Sequence, residues 1–318
     1  MDTIKLFDKH ITIRELCFAI AIFACLTPLV TPPVALLLGL AVALFVGHPF
    51  LHLNHKATHI LLQVSVVGLG FGMNAATAIK AGREGILFAV ASIVGTLTVG
   101  LFMGHAFKID KKTSLLITGG TAICGGSAIA ALSPVIKAEE RQVSVALGVV
   151  FILNSVALFL FPVIGHMLHL SQSQFGLWSA IAIHDTSSVV GAAGRYGPEA
   201  LQIATTVKLA RALWIIPVSL LAAVFFRGQS GRAKIKIPWF IGLFVVAILL
   251  NTWVPVPVIS HAVVQASHAG LTLTLFLIGS GLTREVLKNT GIKPMLQGVM
   301  LWVLISGVTL WAIVSLVH

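Results

Sequence analysis

Apolar runs long enough to cross a bilayer recur along nearly all of this 318-residue chain, and no other feature constrains its fold as tightly. A helix needs roughly 17–25 apolar residues to cross a hydrocarbon core about 30 Å thick. Such runs fall at about 14–30, 33–48, 57–75, 85–107, 113–136, 142–165, 175–194, 199–226, 238–253, 258–282 and 293–316. They are continuous and do not alternate with period two, which argues against a β-barrel. The expected fold is all-α: a polytopic transmembrane bundle of about eleven spans, forming one integral membrane domain over residues 1–318. Composition agrees. Only 10% of residues are charged and 57% are hydrophobic, whereas soluble domains carry about 25% charged residues.

Several function classes drop out early. The net charge of +11 comes from short basic clusters between apolar runs, as the positive-inside rule expects, so no nucleic-acid partner is expected. Cys17, Cys25 and Cys124 all lie inside apolar segments and form no metal or disulfide framework. The charged start followed by an apolar run from Leu16 to Val30 reads as a retained first span, not a cleaved signal peptide. Prolines at Pro32-Pro33, Pro49, Pro238, Pro255, Pro257 and Pro294 punctuate the span ends, where they cost little.

With the N-terminus inside, the cytoplasmic side collects Lys5, Lys9, Arg14, Lys56, Lys108, Lys111, Lys112, Arg227, Arg232, Lys234, Lys236, Arg284, Lys288 and Lys293. The opposite side collects Lys80, Arg83, Lys137, Arg141 and Arg195. With an odd number of spans, this asymmetry predicts a cytoplasmic N-terminus and a C-terminus on the opposite side of the membrane.

Internal repetition is the next signal. A slide of 209 residues aligns "GLGFGMN" with "LIGSGLT", pairing Gly70 with Gly279 and Gly72 with Gly281. The matched spans run in opposite directions, as an inverted repeat requires. A slide of 60 brings "AICGGSAIAA" (122–131) onto "AIHDTSSVVG" (182–191). Under eleven crossings those two segments run parallel, so either the match is chance or one segment re-enters without crossing.

Both segments carry candidate chemistry. "TGGTAICGGSAIAALSP" (118–134) sets Thr121, Cys124, Gly125, Gly126 and Ser127 in mid-span. Glycines there fit a broken helix lining a cavity, because freed backbone groups in lipid cost several kcal/mol unless satisfied; close helix packing is the alternative. In "HDTSS", His184, Asp185, Thr186 and Ser187 interrupt an oily run. A helix N-cap would account for one of them. Lys208 and Arg211 lie near the middle of their span; three such charges facing lipid would cost about 8–10 kcal/mol. They are therefore expected to face Asp185 or a wet cavity rather than to snorkel outward. The surplus positive charge suits an anion, and His184 is a candidate proton-coupling group.

His48, His52, His55 and His59 follow helical spacing, but Pro49 interrupts them and no acidic partner is near. They read as an interfacial loop, and no metal is expected. Gln63, Asn74 and Asn154 read as helix-to-helix glue. No nucleophile–base pair, phosphate loop or paired carboxylates mark an enzyme, and no cofactor is expected.

Together the segments "GGTAICGGSAIAALSPVI" (119–136), "AIHDTSSVVGAA" (182–193) and "TVKLARALWIIP" (206–217) resemble the YeiH family of bacterial inner-membrane proteins, labelled sulfate exporters. The likeness is in order and extends over nearly the whole chain. It implies the cation/proton antiporter and anion transporter superfamily, with inverted repeats and broken helices near the midplane. It further implies that Cys124 to Ser127 and His184 to Ser187 line a translocation site, with His184, Asp185, Lys208 and Arg211 at the family's intramembrane polar positions. The expected function is secondary transport of a small anion such as sulfate, a related sulfur oxyanion or a sulfonate, with H+ or Na+ as candidate coupling ion. The expected surroundings are the lipid bilayer, with a homodimer left open. A cation/proton antiporter using Asp185 and a non-transporting scaffold or sensor are the alternatives.

Overall fold

The computed structural model describes residues 3–6, 9–27, 29–225, 239–254, 257–282, 284 and 291–317. Arg227, Arg232, Lys234, Lys236, Lys288, Pro238 and Pro255 lie outside the described residues. After a two-stranded ribbon, β1 (Thr3–Leu6) and β2 (Lys9–Thr12), the chain is helical. Five helices among the described residues are long and apolar enough to cross a membrane, and Pro32–Val46, Gly126–Val135 and Trp239–Trp253 are shorter apolar helices. The polarity of a soluble protein is reversed: Phe23, Phe45 and Phe102 are exposed, whereas Lys208 and Arg211 are fully buried. The chain forms two compact units, Met1–Met73 with Gly242–Leu287, and Asn74–Ile241 with Lys288–His318.

The first unit contains α1 (Ile13–Cys25), α2 (Pro32–Ala41, extended by a wider turn, Val42–Val46), α3 (Leu51–Leu69), most of α12 (Trp239–Trp253) and α13 (Pro257–Gly281). Thr12 and Glu15 cap α1 reciprocally, which satisfies backbone donors that a helix start leaves open. Phe18, Ala35, Val42 and Phe276 build the core. α2 and α13 approach until backbone meets backbone: a methyl on Gly39 would strike the Phe276 carbonyl, and one on Gly279 the Leu36 carbonyl. Small residues permit such packing in lipid, where contact rather than water exclusion holds helices together. Gly279→Val is expected to cost about 1–3 kcal/mol by overpacking and to lower the thermal midpoint of the purified protein. An unchanged midpoint would refute the close approach.

His48 does not share a helical face with His52: it sits before α3, its ring tilted against Phe18 at 4.7 Å and accepting the Phe50 N–H at 3.0 Å. The His55 side chain lies outside the described residues.

The second unit contains α4 (Ala75–Ala106), α5 (Lys111–Ala122), α6 (Gly126–Val135), α7 (Glu140–Met167), α8 (Gln172–Ala182), α9 (Thr186–Tyr196), α10 (Pro198–Ala212), α11 (Ile215–Phe225) and α14 (Ile292–Leu316). Here the structure corrects the sequence reading. Segments 113–136 and 175–194 count among the eleven runs, with re-entry of one of them left open; each folds back on itself.

α5 and α6 form a helical hairpin. Lys112 Nζ, at its start, donates to the Lys137 carbonyl just past its end at 2.8 Å, Gly120 lies against Ile129, and Gly119 against Leu132. α8 and α9 form another: Tyr196 Oη donates to the Leu170 carbonyl at 2.6 Å, and the Tyr196 ring stacks on Phe175 at 3.8 Å. Between the two bases runs α7, 28 residues or about 42 Å of helix. The hairpins therefore enter from opposite ends of the unit. α14, 25 residues, joins the same two ends, from Gln297, which donates to the Gly100 carbonyl and the Ser114 and Thr118 hydroxyls, to the Val317 carbonyl, which accepts from Gln174.

Candidate functional site

The hairpin tips meet inside the second unit. Tip one is Ile123-Cys124-Gly125, and tip two is Ile183-His184-Asp185. Gly125 packs against the His184 carbonyl and the Asp185 Cα, so that an added methyl would stand 3.3 and 3.4 Å from them. Its φ of +66° and ψ of −126° belong to a region that glycine enters freely and other residues rarely do.

Four half-helix ends converge at the tips. The carbonyl ends belong to α5 and α8, and both are met by cations from α10. Lys208 Nζ donates to the carbonyls of Ala180 and Ile183 at 3.2 and 2.6 Å. Arg211 donates to the Ile181 carbonyl at 2.9 Å and also to that of Ala122, so one guanidinium ties both hairpins together. Cations are favoured at helix C-termini, where the dipole leaves partial negative charge.

The amino ends belong to α6 and α9. Asp185 N-caps α9, accepting from the Ser188 N–H at 3.2 Å and from the Ser187 hydroxyl. Among the described residues its carboxylate bonds neither Lys208 nor Arg211. Asp185 and the basic pair share the tip region but hold opposite poles of the half-helices. α6 begins differently. Gly125 offers no side-chain cap, Gly126 and Ser127 are half-buried in its first turn, and Cys124 Sγ lies against the Ala128 N–H.

Each predicted residue can thus be placed. Thr121 ends α5 and Cys124 is buried in tip one. Gly125, Gly126 and Ser127 open α6, whereas His184 and Asp185 form tip two and Thr186 and Ser187 open α9. Lys208 and Arg211 brace both tips from α10. Thr121 Oγ1, both ring nitrogens of His184, Asn154 Nδ2 and Arg211 Nε are buried without a hydrogen-bond partner.

Asn154 was underread. From α7 its Oδ1 accepts the N–H groups of His184 and Asp185 at 3.0 and 3.3 Å, fixing the second tip. Its sole sequence signal is an amide in an apolar run, which fits helix glue equally well.

Buried cations holding opposed helical hairpins inside an oil-faced bundle define a polytopic helical membrane protein with a re-entrant core. The chain belongs to the UPF0324 membrane protein family: the family model described as Conserved hypothetical protein 698 matches residues 15–298. It is similar to a UPF0324 membrane protein of Bacteroides thetaiotaomicron, 54% identical over 279 residues, covering 87% of this chain and 84% of the relative. A UPF0324 membrane protein of Bdellovibrio bacteriovorus is 52% identical over 298 residues, 92% of each chain. One of Photobacterium profundum is 50% identical over 305 residues, 95% of this chain and 93% of that protein. No solved structure matches the chain.

Proposed function

We propose that this protein is a secondary-active transporter, an exporter of a small anion such as sulfate, a related sulfur oxyanion or a sulfonate. One observation carries the reading: two hairpins entering from opposite ends meet tip to tip around buried Lys208 and Arg211. Non-helical backbone at membrane depth is tolerated where protein buries it or a watery cavity meets it. Half-helix ends at the midplane are where secondary transporters place their substrates.

The sign of the substrate follows from charge. Lys208 and Arg211 contribute two positive charges and Asp185 one negative. The two carbonyl ends and two amino ends, each roughly half a charge, cancel. About one positive charge is left for a ligand, and the start of α6, where Gly125 offers no cap and Cys124 Sγ meets only the Ala128 N–H, supplies N–H donors to an anion. A cation transporter would use the carbonyl ends, but here Lys208 and Arg211 occupy them and Asp185 serves as a cap. The slide of 60 residues superposes the two hairpins, and together with the likeness to the YeiH family it supports an inverted repeat whose halves alternate access.

The orientation follows from the same unit. Lys108, Lys111, Lys112, Lys137, Arg141 and Lys293 gather at one end, and Lys80 and Arg195 at the other. Folding 113–136 back moves Lys137 and Arg141 to the richer side, which deepens the asymmetry and supports a cytoplasmic placement of that end in an inner membrane. α14 then ends on the periplasmic side.

Purified protein in liposomes tests the function. Saturable uptake of radiolabelled sulfate, thiosulfate or taurine, accelerated by the same anion inside, is expected. Na+/H+ exchange without anion flux would overturn the anion reading in favour of an antiporter.

A further inference from the structure

Away from the hairpin tips, the second unit carries a cavity of about 630 Å3 at the end where α4 finishes and α5 begins. Leu97, Leu101 and Leu115 form one wall, and Val218, Leu221 and Ala222 the other. Besides Thr98 and Ser114, the polar lining consists of His105, Lys108 and Lys111, all three exposed. Neighbouring charges are engaged elsewhere. Asp110 accepts from Thr113 and from Gln142, and Lys112 reaches the Lys137 carbonyl. Among the described residues the rim is left with two exposed lysines and an exposed histidine.

We propose that this groove binds one anionic phospholipid, its acyl chain along the leucine walls and its phosphate among His105, Lys108 and Lys111. Shape and charge carry the assignment together. From Leu97 to His105 the helix α4 rises about 12 Å, so the slot runs inward from a cationic mouth as a lipid runs inward from its headgroup. A soluble anion gains nothing from apolar walls, and a neutral chain gains nothing from the lysines. The mouth also lies at the basic end of the unit, where the cytoplasmic leaflet presents its anionic headgroups, and basic pockets between spans on that side suit them. Leu115 belongs to α5, so the bound chain touches the first hairpin and makes its position sensitive to membrane composition.

Native mass spectrometry of the full chain, with phosphatidylglycerol and phosphatidylcholine added at equal concentration, tests this. Preferential retention of phosphatidylglycerol is expected. Lys108 has a φ of +54°, a conformation that asparagine tolerates well. Lys108→Asn with Lys111→Gln therefore removes charge at little backbone cost. Retention should fall by roughly twenty- to thirtyfold in this double variant, at about fivefold per lysine. Should the α4–α5 turn be disturbed, His105→Ala with Lys111→Gln removes rim charge without touching it, and the same direction is expected. Thr98→Trp keeps every charge but fills the exposed wall of the slot, and should also lose the lipid. Equal retention of both lipids, wild-type retention in the charge-removed variants, or unchanged retention in Thr98→Trp would overturn the proposal. Displacement of the lipid by inorganic phosphate alone would also overturn it, showing a free-anion site instead.

Discussion

Arg211→Lys is expected to lower anion flux in liposomes by roughly tenfold to a hundredfold, although the charge is kept and the chain still folds. The guanidinium donates to Ile181 on the second hairpin and Ala122 on the first. A lysine ammonium has no planar fork and cannot span two carbonyls on different elements in that way. One buried carbonyl would lose its partner, at about 1–3 kcal/mol, and the tips would lose their shared tie. Lys208→Gln is the informative contrast, because both Lys208 acceptors, Ala180 and Ile183, belong to the second hairpin. Hydrogen exchange separates the two cases. In Arg211→Lys, protection should fall at 121–127 and at 181–187 together; in Lys208→Gln it should fall at the second stretch alone. Loss confined to one hairpin in Arg211→Lys would show that the bridge does not couple the tips.

The ingredients of this core were legible in the sequence, but their connection was not. Glycines at 119, 120, 125 and 126 and the polar run from His184 to Ser188 mark helix breaks, because glycine and small capping residues are poor choices for a continuous apolar helix. The slide of 60 residues links the two breaks. What it leaves undetermined is whether each broken segment crosses or returns. That depends on contacts far apart in sequence, Lys112 with the Lys137 carbonyl and Tyr196 with the Leu170 carbonyl, and a carbonyl acceptor leaves no trace in residue type. The same blindness affected the cations. Cost arguments place Lys208 and Arg211 inside the protein, yet a carboxylate is the partner that sequence makes visible, and the actual partners are backbone. Asn154 and Gln297 were ambiguous for a related reason: an intramembrane amide reads alike whether it fixes a re-entrant tip or joins two ordinary helices.

Gly125→Ala tests whether the meeting of the tips is the working centre. The backbone at this position has φ +66° and ψ −126°, and holding a residue with a Cβ there costs about 1–3 kcal/mol. The new methyl would also stand 3.2 Å from Val150 Cγ1, 3.3 Å from the His184 carbonyl and 3.4 Å from the Asp185 Cα. These approaches are tight, not impossible. The chain should fold with its tips pushed a few tenths of an ångström apart, and flux should fall by roughly fivefold to a hundredfold, since about 1.4 kcal/mol of misfit corresponds to a factor of ten. Gly126→Ala provides the control one residue on: the position is helical, and its methyl would meet the Phe151 ring at 3.3 Å, a side chain able to move aside. That variant should keep most of the wild-type flux. If the two alanine variants transport equally well, the contact between Gly125 and the second tip does not govern translocation, and the substrate passes elsewhere.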